Sequence, residues 1–308
     1  MISAYPEYYK DFACIASACR HSCCIGWEID IDPVSAERYR KTEGALGEKM
    51  CRCIDFASEQ PHFILGEDER CPFLDGNNLC EIILTLGEDA ISEICTDHPR
   101  FRTYLSERTE TGLGLCCEEA ARLILTWDKP LEILEEGEGA YTADEDWLMD
   151  LREEIFEIMG DGKRAVHERM EAVLKLCEAR KSVGSVKEWA EFYMDLERLD
   201  GGWTELLRQL AEADSTLPAL EKIMDTRPRE FANLFNYFIY RHLFSALDDG
   251  DIGSKLSFAY LSCRIIAALL LTHGGKGELE TLVEYARMYS SEIEYSDENL
   301  GLIFDALQ

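Results

Sequence analysis

Positive charge is scarce in this sequence. It has 31 Lys and Arg against 61 Asp and Glu, a formal net charge of −30. Such a chain lacks the basic surface that a nucleic-acid backbone requires, so no nucleic-acid partner is expected. No leader segment is expected either. Met1-Ile2-Ser3-Ala4-Tyr5-Pro6 has no basic start followed by an apolar run, and the chain reads as cytoplasmic. Long uncharged apolar runs are absent. The best candidate, Leu256 to Thr272, has Arg264 in its middle, with Ser257, Ser262 and Cys263 nearby. A membrane span takes about 20 largely uncharged residues, so this stretch is predicted to be a buried helix and no membrane partner is expected. There is no fixed-period repeat. What the chain does have is 46% hydrophobic and 10% aromatic residues, which exclude a disordered or collagen-like chain. Its 308 residues suit one large domain or two modest ones.

The fold class predicted from the pattern is mostly α, with a cysteine-rich, loop-rich metal-binding N-terminal part followed by an all-helical part. The division expected is residues 1–130 as the cysteine-rich domain, 131–146 as an acidic linker and 147–308 as the helical domain. Early in the chain, Trp27-Glu28-Ile29-Asp30-Ile31-Asp32 alternates like one short strand. Asp32-Pro33 then reads as an N-cap and first helical residue. Glu118 to Trp127 reads as a helix. The linker is placed at Glu132 through Asp146, on Glu135-Glu136-Gly137-Glu138-Gly139. Beyond it Trp147, Leu148, Leu151, Ile155 and Phe156 recur at helical spacing up to Gly160. Val166, Met170, Val173 and Leu174 make a second helix. Further helices are predicted near Val186–Leu199, Thr204–Ala213, Arg229–Leu247, Ser254–Thr272, Glu278–Ser290 and Glu298–Leu307.

The thirteen cysteines are not spread evenly, for eleven precede residue 118. In a reducing compartment an odd count of this size argues for metal ligation over a disulfide framework. Cys14, Cys19, Cys23 and Cys24 fall within eleven residues, and Cys71, Cys80 and Cys95 follow. Thiolates suit soft metals, and zinc or iron accepts four of them. There is no Cys-x2-Cys pair of the kind zinc sites usually present, so the irregular spacing favours an iron–sulfur cluster, with zinc as the alternative. The spacing is neither that of a bacterial ferredoxin nor a Cys-x3-Cys-x2-Cys motif, because Gly26 stands where the third cysteine would follow Cys19 and Cys23. Neighbouring side chains point in different directions, so Cys23 and Cys24 are not expected on one metal. Cys51 and Cys53 stay unassigned. Cys177 and Cys263 read as core thiols, since free cysteine packs as a small hydrophobe. His21 is weighed as a zinc ligand against a plain surface-loop residue.

Tyr5-Pro6-Glu7-Tyr8-Tyr9, Phe12, Cys14, Cys19, Cys23-Cys24, Trp27, Ile29 and Ile31-Asp32 together resemble the start of the flagellin lysine-N-methylase family, within a cysteine-rich superfamily described as zinc- or iron-chelating. The resemblance continues through Cys71-Pro72-Phe73-Leu74, Cys80-Glu81-Ile82, Gly87-Glu88, Cys95 and Pro99-Arg100. It then reaches Leu115 to Leu123, where Cys117 takes the family's cysteine position and Glu118 replaces its proline. Phe235-Asn236-Tyr237, Tyr240-Arg241 and Glu294 to Asn299 match more faintly. The family often has tyrosine where this chain has His98, and histidine where it has Tyr295.

The resemblance implies a protein lysine N-methyltransferase that moves a methyl group from S-adenosylmethionine to lysines of flagellin or another lysine-bearing protein. It also implies an iron–sulfur cluster, expected as 4Fe-4S. The ligand candidates are then Cys14, Cys19, Cys23, Cys24, Cys71, Cys80, Cys95 and Cys117. A lysine amine must be neutral to attack the methyl group, and an acidic surface would draw lysines in. No strand–Gly-x-Gly–helix signature is present; Gly112-Leu113-Gly114 is only a partial match. Tyr237 and Glu294 are the catalytic candidates. Asn236, Arg241, Arg100 and Asn299 are the cofactor-binding candidates. Tyr237 and Arg241, like Asn236 and Tyr240, are four apart and can share a helix face. The plainer reading of these residues is a satisfied buried polar network. Two other functions fit the cysteines: a zinc-stabilised interaction module without catalysis, and an iron–sulfur electron-transfer protein.

Overall fold

A helix that is apolar on every side has nowhere to lie but in a core. Ile252–His273 is such a helix, and every residue from Ser254 to Leu270 is buried. In the computed structural model, which describes the chain apart from residues 178, 180–183, 214, 274–277 and the side chain of Asp68, this helix packs against Leu217–Thr226, Pro228–His242, Leu279–Ile293 and Asp297–Leu307. By length and composition it would suffice to cross a membrane, but 83% of its apolar window is buried inside the protein. Its one lysine, Lys255, is neutralised by Asp249 at 2.6 Å and lies 4.0 Å over the ring of Phe304.

The chain divides into two compact units, Met1–Phe12 with Arg102–Gln308, and Ala13–Phe101. The larger unit is mostly helical and carries a small sheet with strand order Arg100–Tyr104, Arg108–Leu113, Ile2–Pro6, Ile133–Glu136. Ile2–Pro6 runs parallel to Arg108–Leu113, with Ile2 opposite Arg108 and Ala4 opposite Glu110. It runs antiparallel to Ile133–Glu136, with Tyr5 opposite Leu134. The alternation along Arg108–Leu113 turns Arg108 and Glu110 to the buried face.

The helix pattern is closely matched. Glu118–Thr126, Ala143–Gly160, Val166–Leu176, Val186–Met194, Gly201–Glu212, Leu279–Ile293 and Asp297–Leu307 all form. Thr142 and Glu145 make a capping box at the start of Ala143–Gly160. The helix predicted as Arg229–Leu247 is α-helical over Pro228–His242 and then continues as two short turns. Leu217–Thr226 was not predicted. Its signals were a proline in the first turn and the i, i+4 pair Leu220 and Met224, both buried.

The acidic stretch 131–146 is corrected. The units divide elsewhere, and this stretch supplies the strand Ile133–Glu136 and the first turn of Ala143–Gly160. Its carboxylates have work that a linker would not give them: Glu135 pairs with Arg108, and Glu136 accepts from Tyr5. Gly137 turns the chain at φ +97, where a Cβ would lie 2.6 Å from the Met1 carbonyl oxygen.

The smaller unit is built from short pieces: the helices Pro33–Lys41, Gly44–Cys53, Glu81–Leu86 and Glu93–Asp97, and a hairpin of Ile54–Asp55 with His62–Phe63. Ile29, Ile31, Tyr39, Met50, Phe63, Phe73 and Ile82 form its core. The segment 27–32 has the burial alternation of a strand, but it bridges His62 only through Asp30 and is otherwise extended chain. Asp32 caps the helix at Pro33 as predicted, accepting from Ser35 N at 2.9 Å, and its second oxygen accepts from Glu93 N at 2.9 Å.

Candidate active site and thiol cluster

In the larger unit three distant segments meet on Glu294, the last turn of Leu279–Ile293. Its side chain is fully buried, where an unpaired carboxylate would be costly. Tyr237 Oη donates to Glu294 Oε2 at 3.0 Å, and His242 Nε2 bonds Oε1 at 2.7 Å. Arg241 Nη1 donates to Tyr237 Oη at 2.8 Å and Nη2 to the Glu294 carbonyl at 3.1 Å, with Nε 3.4 Å from Oε1. Leu115 N–H donates to Tyr237 Oη at 3.3 Å. The face shared by Tyr237 and Arg241 is thus used as the four-residue spacing predicts.

Burial alone would raise the Glu294 carboxyl, but Arg241 and His242 outweigh it and hold it below the usual carboxylate range. Burial drives His242 down, so the imidazole is neutral near pH 7. The Tyr237 phenol is pushed well up by burial and stays protonated. Cys116 reaches the same cluster beside Tyr295, Arg241 and Glu294, and burial pushes its thiol up to about 12. Tyr295 lies with its ring 4.7 Å from the Arg241 guanidinium. Tyr237 also lines a void of about 10 Å³ with Tyr8, Trp127 and Asn233, room for about one water.

The other cofactor-binding candidates lie elsewhere. Asn236 is buried one residue before Tyr237, and its Oδ1 has no partner. It is not part of the cluster, because consecutive helix positions point about 100° apart. Its expected companion Tyr240 donates instead to the Thr111 carbonyl at 3.1 Å. Asn299 is a tie between chain segments: Nδ2 donates to the carbonyls of Glu197 (3.0 Å) and Glu292 (3.1 Å), and Oδ1 accepts from Glu197 N (3.2 Å). Those bonds engage both amide N–H groups in tying chain segments together. Cys117 is the N-cap residue of Glu118–Thr126 in this unit. Glu118 takes the first helical position, where proline and acidic residues are both favoured.

The smaller unit holds the other thiols. Cys71 is buried in its core, and Cys24, Cys53, Cys80 and Cys95 pack on that core. Cys71 stands close enough to feel the charge of Cys24, Cys80 and Cys95, Cys95 that of Cys24 and Cys80, and Cys80 that of Cys24. Burial raises Cys71 to about 12 and Cys95 to about 11, and raises Cys80 as well; the neighbouring thiols add to each shift. Cys24 moves the other way, to about 7, through its bond to Cys23 and then Ser22 and the Arg70 guanidinium. Among the described residues, no group of three or more His, Cys, Asp or Glu side chains is already arranged to hold a metal ion. Cys14 and Cys23 are exposed and Cys19 is half-buried, its Sγ donating to the His21 carbonyl at 3.0 Å. Cys51 is exposed, and Cys263 is buried as expected.

The cation beside the thiols is Arg70, which the sequence did not single out. Arg100, which it did, donates to the Thr96 carbonyl at 3.0 Å and lines a cleft of about 410 Å³ with Asp30, Asp32, Gln60, Glu93 and Asp97. His242 and Cys116 were also missed as members of the site. Their only signal was adjacency to Arg241 and Cys117.

Residues 100–308 match the model of the FliB lysine N-methylase C-terminal domain. Lysine-N-methylases of Salmonella choleraesuis (strain SC-B67) and Salmonella typhimurium (strain LT2) are each 31% identical over 126 residues, 39% of this chain and 31% of theirs. The flagellar biosynthetic protein FliU of Salmonella muenchen is 29% identical over 126 residues, covering 39% of this chain and 75% of its own. The alignment thus spans about a third of the length of the two lysine-N-methylases. No solved structure matches the chain.

Proposed function

Since the chain belongs to the FliB lysine N-methylase C-terminal domain family, we propose that it is a cytoplasmic protein lysine N-methyltransferase that takes its methyl group from S-adenosylmethionine and acts on flagellin or a similar lysine-bearing protein. The observation that carries this reading is the meeting of Tyr237, Arg241, His242 and Glu294 in one buried cluster inside the matched region. S-adenosylmethionine supplies an electrophilic methyl group when bound. The chain's own task is to receive the proton that a lysine ammonium must lose before it attacks. Glu294 is kept ionised for this by Arg241 and His242, and Tyr237 bridges it to the Leu115 amide.

In the smaller unit, Cys24, Cys71, Cys80 and Cys95 are the proposed ligands of an iron–sulfur cluster, with zinc as the alternative. Their fit is one of donor chemistry. Four thiols share one core, and three are pushed up by burial and by one another, a state that a bound cation would relieve by taking them as thiolates. Cys14, Cys19 and Cys23 precede this set on partly exposed chain.

The test is transfer of labelled methyl from S-adenosylmethionine to purified flagellin, with lysines mapped by mass spectrometry, alongside iron, zinc and sulfide quantitation on anaerobically purified protein. Label on lysine that is lost in Glu294→Gln supports the proposal. No label on any lysine would sink the enzymatic reading. Stoichiometric zinc without sulfide, in a colourless protein that transfers no methyl, would favour the interaction module.

A further inference from the structure

Salt bridges inside a core are unusual, because two charges must leave water for one contact. The larger unit has such a group away from Glu294. Arg108, Glu110 and Arg152 are 1%, 1% and 2% exposed. Glu110 is the shared acceptor. Arg152 Nη1 donates to Oε2 at 2.5 Å and Nη2 to Oε1 at 2.9 Å, while Arg108 Nε donates to Oε1 at 2.7 Å. Arg108 also reaches Glu135 and, at 3.1 Å, the Tyr141 hydroxyl. Arg152 Nε has no partner, so Glu110 is the acceptor on which that guanidinium depends.

What this network touches sets it apart from simple packing. The Arg152 guanidinium lies 5.2 Å from the ring of Tyr240 and 4.8 Å from that of Phe244. Tyr240 in turn donates to the Thr111 carbonyl at 3.1 Å, one residue after Glu110. Tyr240 is the neighbour of Arg241 on the helix that carries Tyr237. Thr111 lies on the strand that ends at Leu113 and leads into Leu115 and Cys116. Two residues past the end of that strand, the chain meets the same helix again at the Leu115 N–H to Tyr237 bond. One junction between them therefore fixes the second.

The geometry points to Glu110 as a positioning residue for the proposed methyl-transfer site: held between Arg108 and Arg152, it locks the 111–116 segment against the Tyr237–Arg241 helix face. This rests on the proposed function for its catalytic consequence, and on the contacts alone for the positioning itself.

The test compares wild type, Glu110→Gln, and a double variant Glu110→Met with Arg152→Met, in the full chain. The double variant removes Glu110 and Arg152 at similar volume, a swap that cores often tolerate, and leaves Arg108 its bonds to Glu135 and Tyr141. Two readouts are taken. One is hydrogen–deuterium exchange by mass spectrometry on peptides covering residues 111–117. The other is kcat and KM for flagellin methylation with labelled S-adenosylmethionine. We expect faster exchange confined to 111–117 in both variants, and kcat lowered by about a hundredfold, the scale of a 1 Å misplacement, with KM changed by less than about threefold. Wild-type exchange at 111–117, or wild-type kcat in a folded double variant, would overturn the proposal. If wild type itself transfers no methyl, the proposed function fails. The exchange comparison then still decides whether Glu110 holds the segment.

Discussion

The two units keep their buried ionisable groups in opposite conditions. In the larger unit two buried carboxylates are each matched by cations: Glu294 with Arg241 and His242, and Glu110 with Arg108 and Arg152. In the smaller unit Cys71, Cys80 and Cys95 are raised by burial and then by neighbouring thiols, with Cys24 among those neighbours. A matched set holds together internally. A crowd of thiols does so only while its members stay protonated or a cation joins them. The difference is why the proposed cluster is assigned to the smaller unit and the proposed proton acceptor to the larger one.

The largest expected effect follows from that asymmetry. A structural metal site contributes on the order of 10 kcal/mol of binding free energy that counts as folding free energy. If the smaller unit holds the proposed cluster or zinc, a chelator under reducing conditions should loosen residues 13–101 and leave 102–308 protected. Hydrogen exchange resolved by peptide reads both units in one experiment, and equal loosening in the two would break the comparison.

Next in size is Glu294→Ala, which strands Arg241 in the core. Breaking a buried pair from one side costs about 3–5 kcal/mol, so the urea midpoint of the larger unit should fall sharply with little change in the smaller one. Glu294→Gln should cost less, because an amide still accepts from Arg241 and His242.

A smaller effect is expected from pH. His242 titrates lower in the folded state than in the unfolded one. As pH falls below about 6.5 the unfolded chain takes up the proton first, and stability declines. Glu294 is also depressed. Its contribution is present above the unfolded carboxyl value of about 4.3 and is lost as pH falls through the lower folded value. Urea melts from pH 7 to pH 4 should show the larger unit weakening in that order. His242→Gln should remove the first step, and an unchanged melt across pH 6 to 5 would refute the assignment.

The smallest effect is at a helix end. Asp32→Ala removes acceptors from Ser35 N and Glu93 N and should cost the smaller unit about 1 kcal/mol, read as a shift in its own melting transition.

The helices were legible because burial on one side imposes a 3.6-residue period that single residues reveal. Asp32-Pro33 was legible because capping is local chemistry. Tyr237 with Arg241 could be read from spacing, since both partners lie on one helix. Glu294 entered only through the family resemblance. The rest required long-range closure. Nothing near Glu110 in sequence announces Arg152, and nothing near Cys24 announces Arg70. The acidic run at Glu135 misled because charge density resembles a linker until its partners, Arg108 and Tyr5, are seen across the sheet. The ties that Asn299 makes to Glu197 and Glu292 were not legible either, because those partners meet it only in the fold.

The strand Ile2–Pro6 has a consequence for the order of events during synthesis. Its partners are Arg108–Leu113 and Ile133–Glu136, so this strand, once made, waits for chain about a hundred residues behind it. At about 5–20 residues per second that wait is on the order of 5–20 s. Residues 13–101 are all translated within it. The thiol-bearing unit is thus the earlier of the two to have its whole sequence in hand, and a cation could reach its cysteines before the sheet of the larger unit has closed.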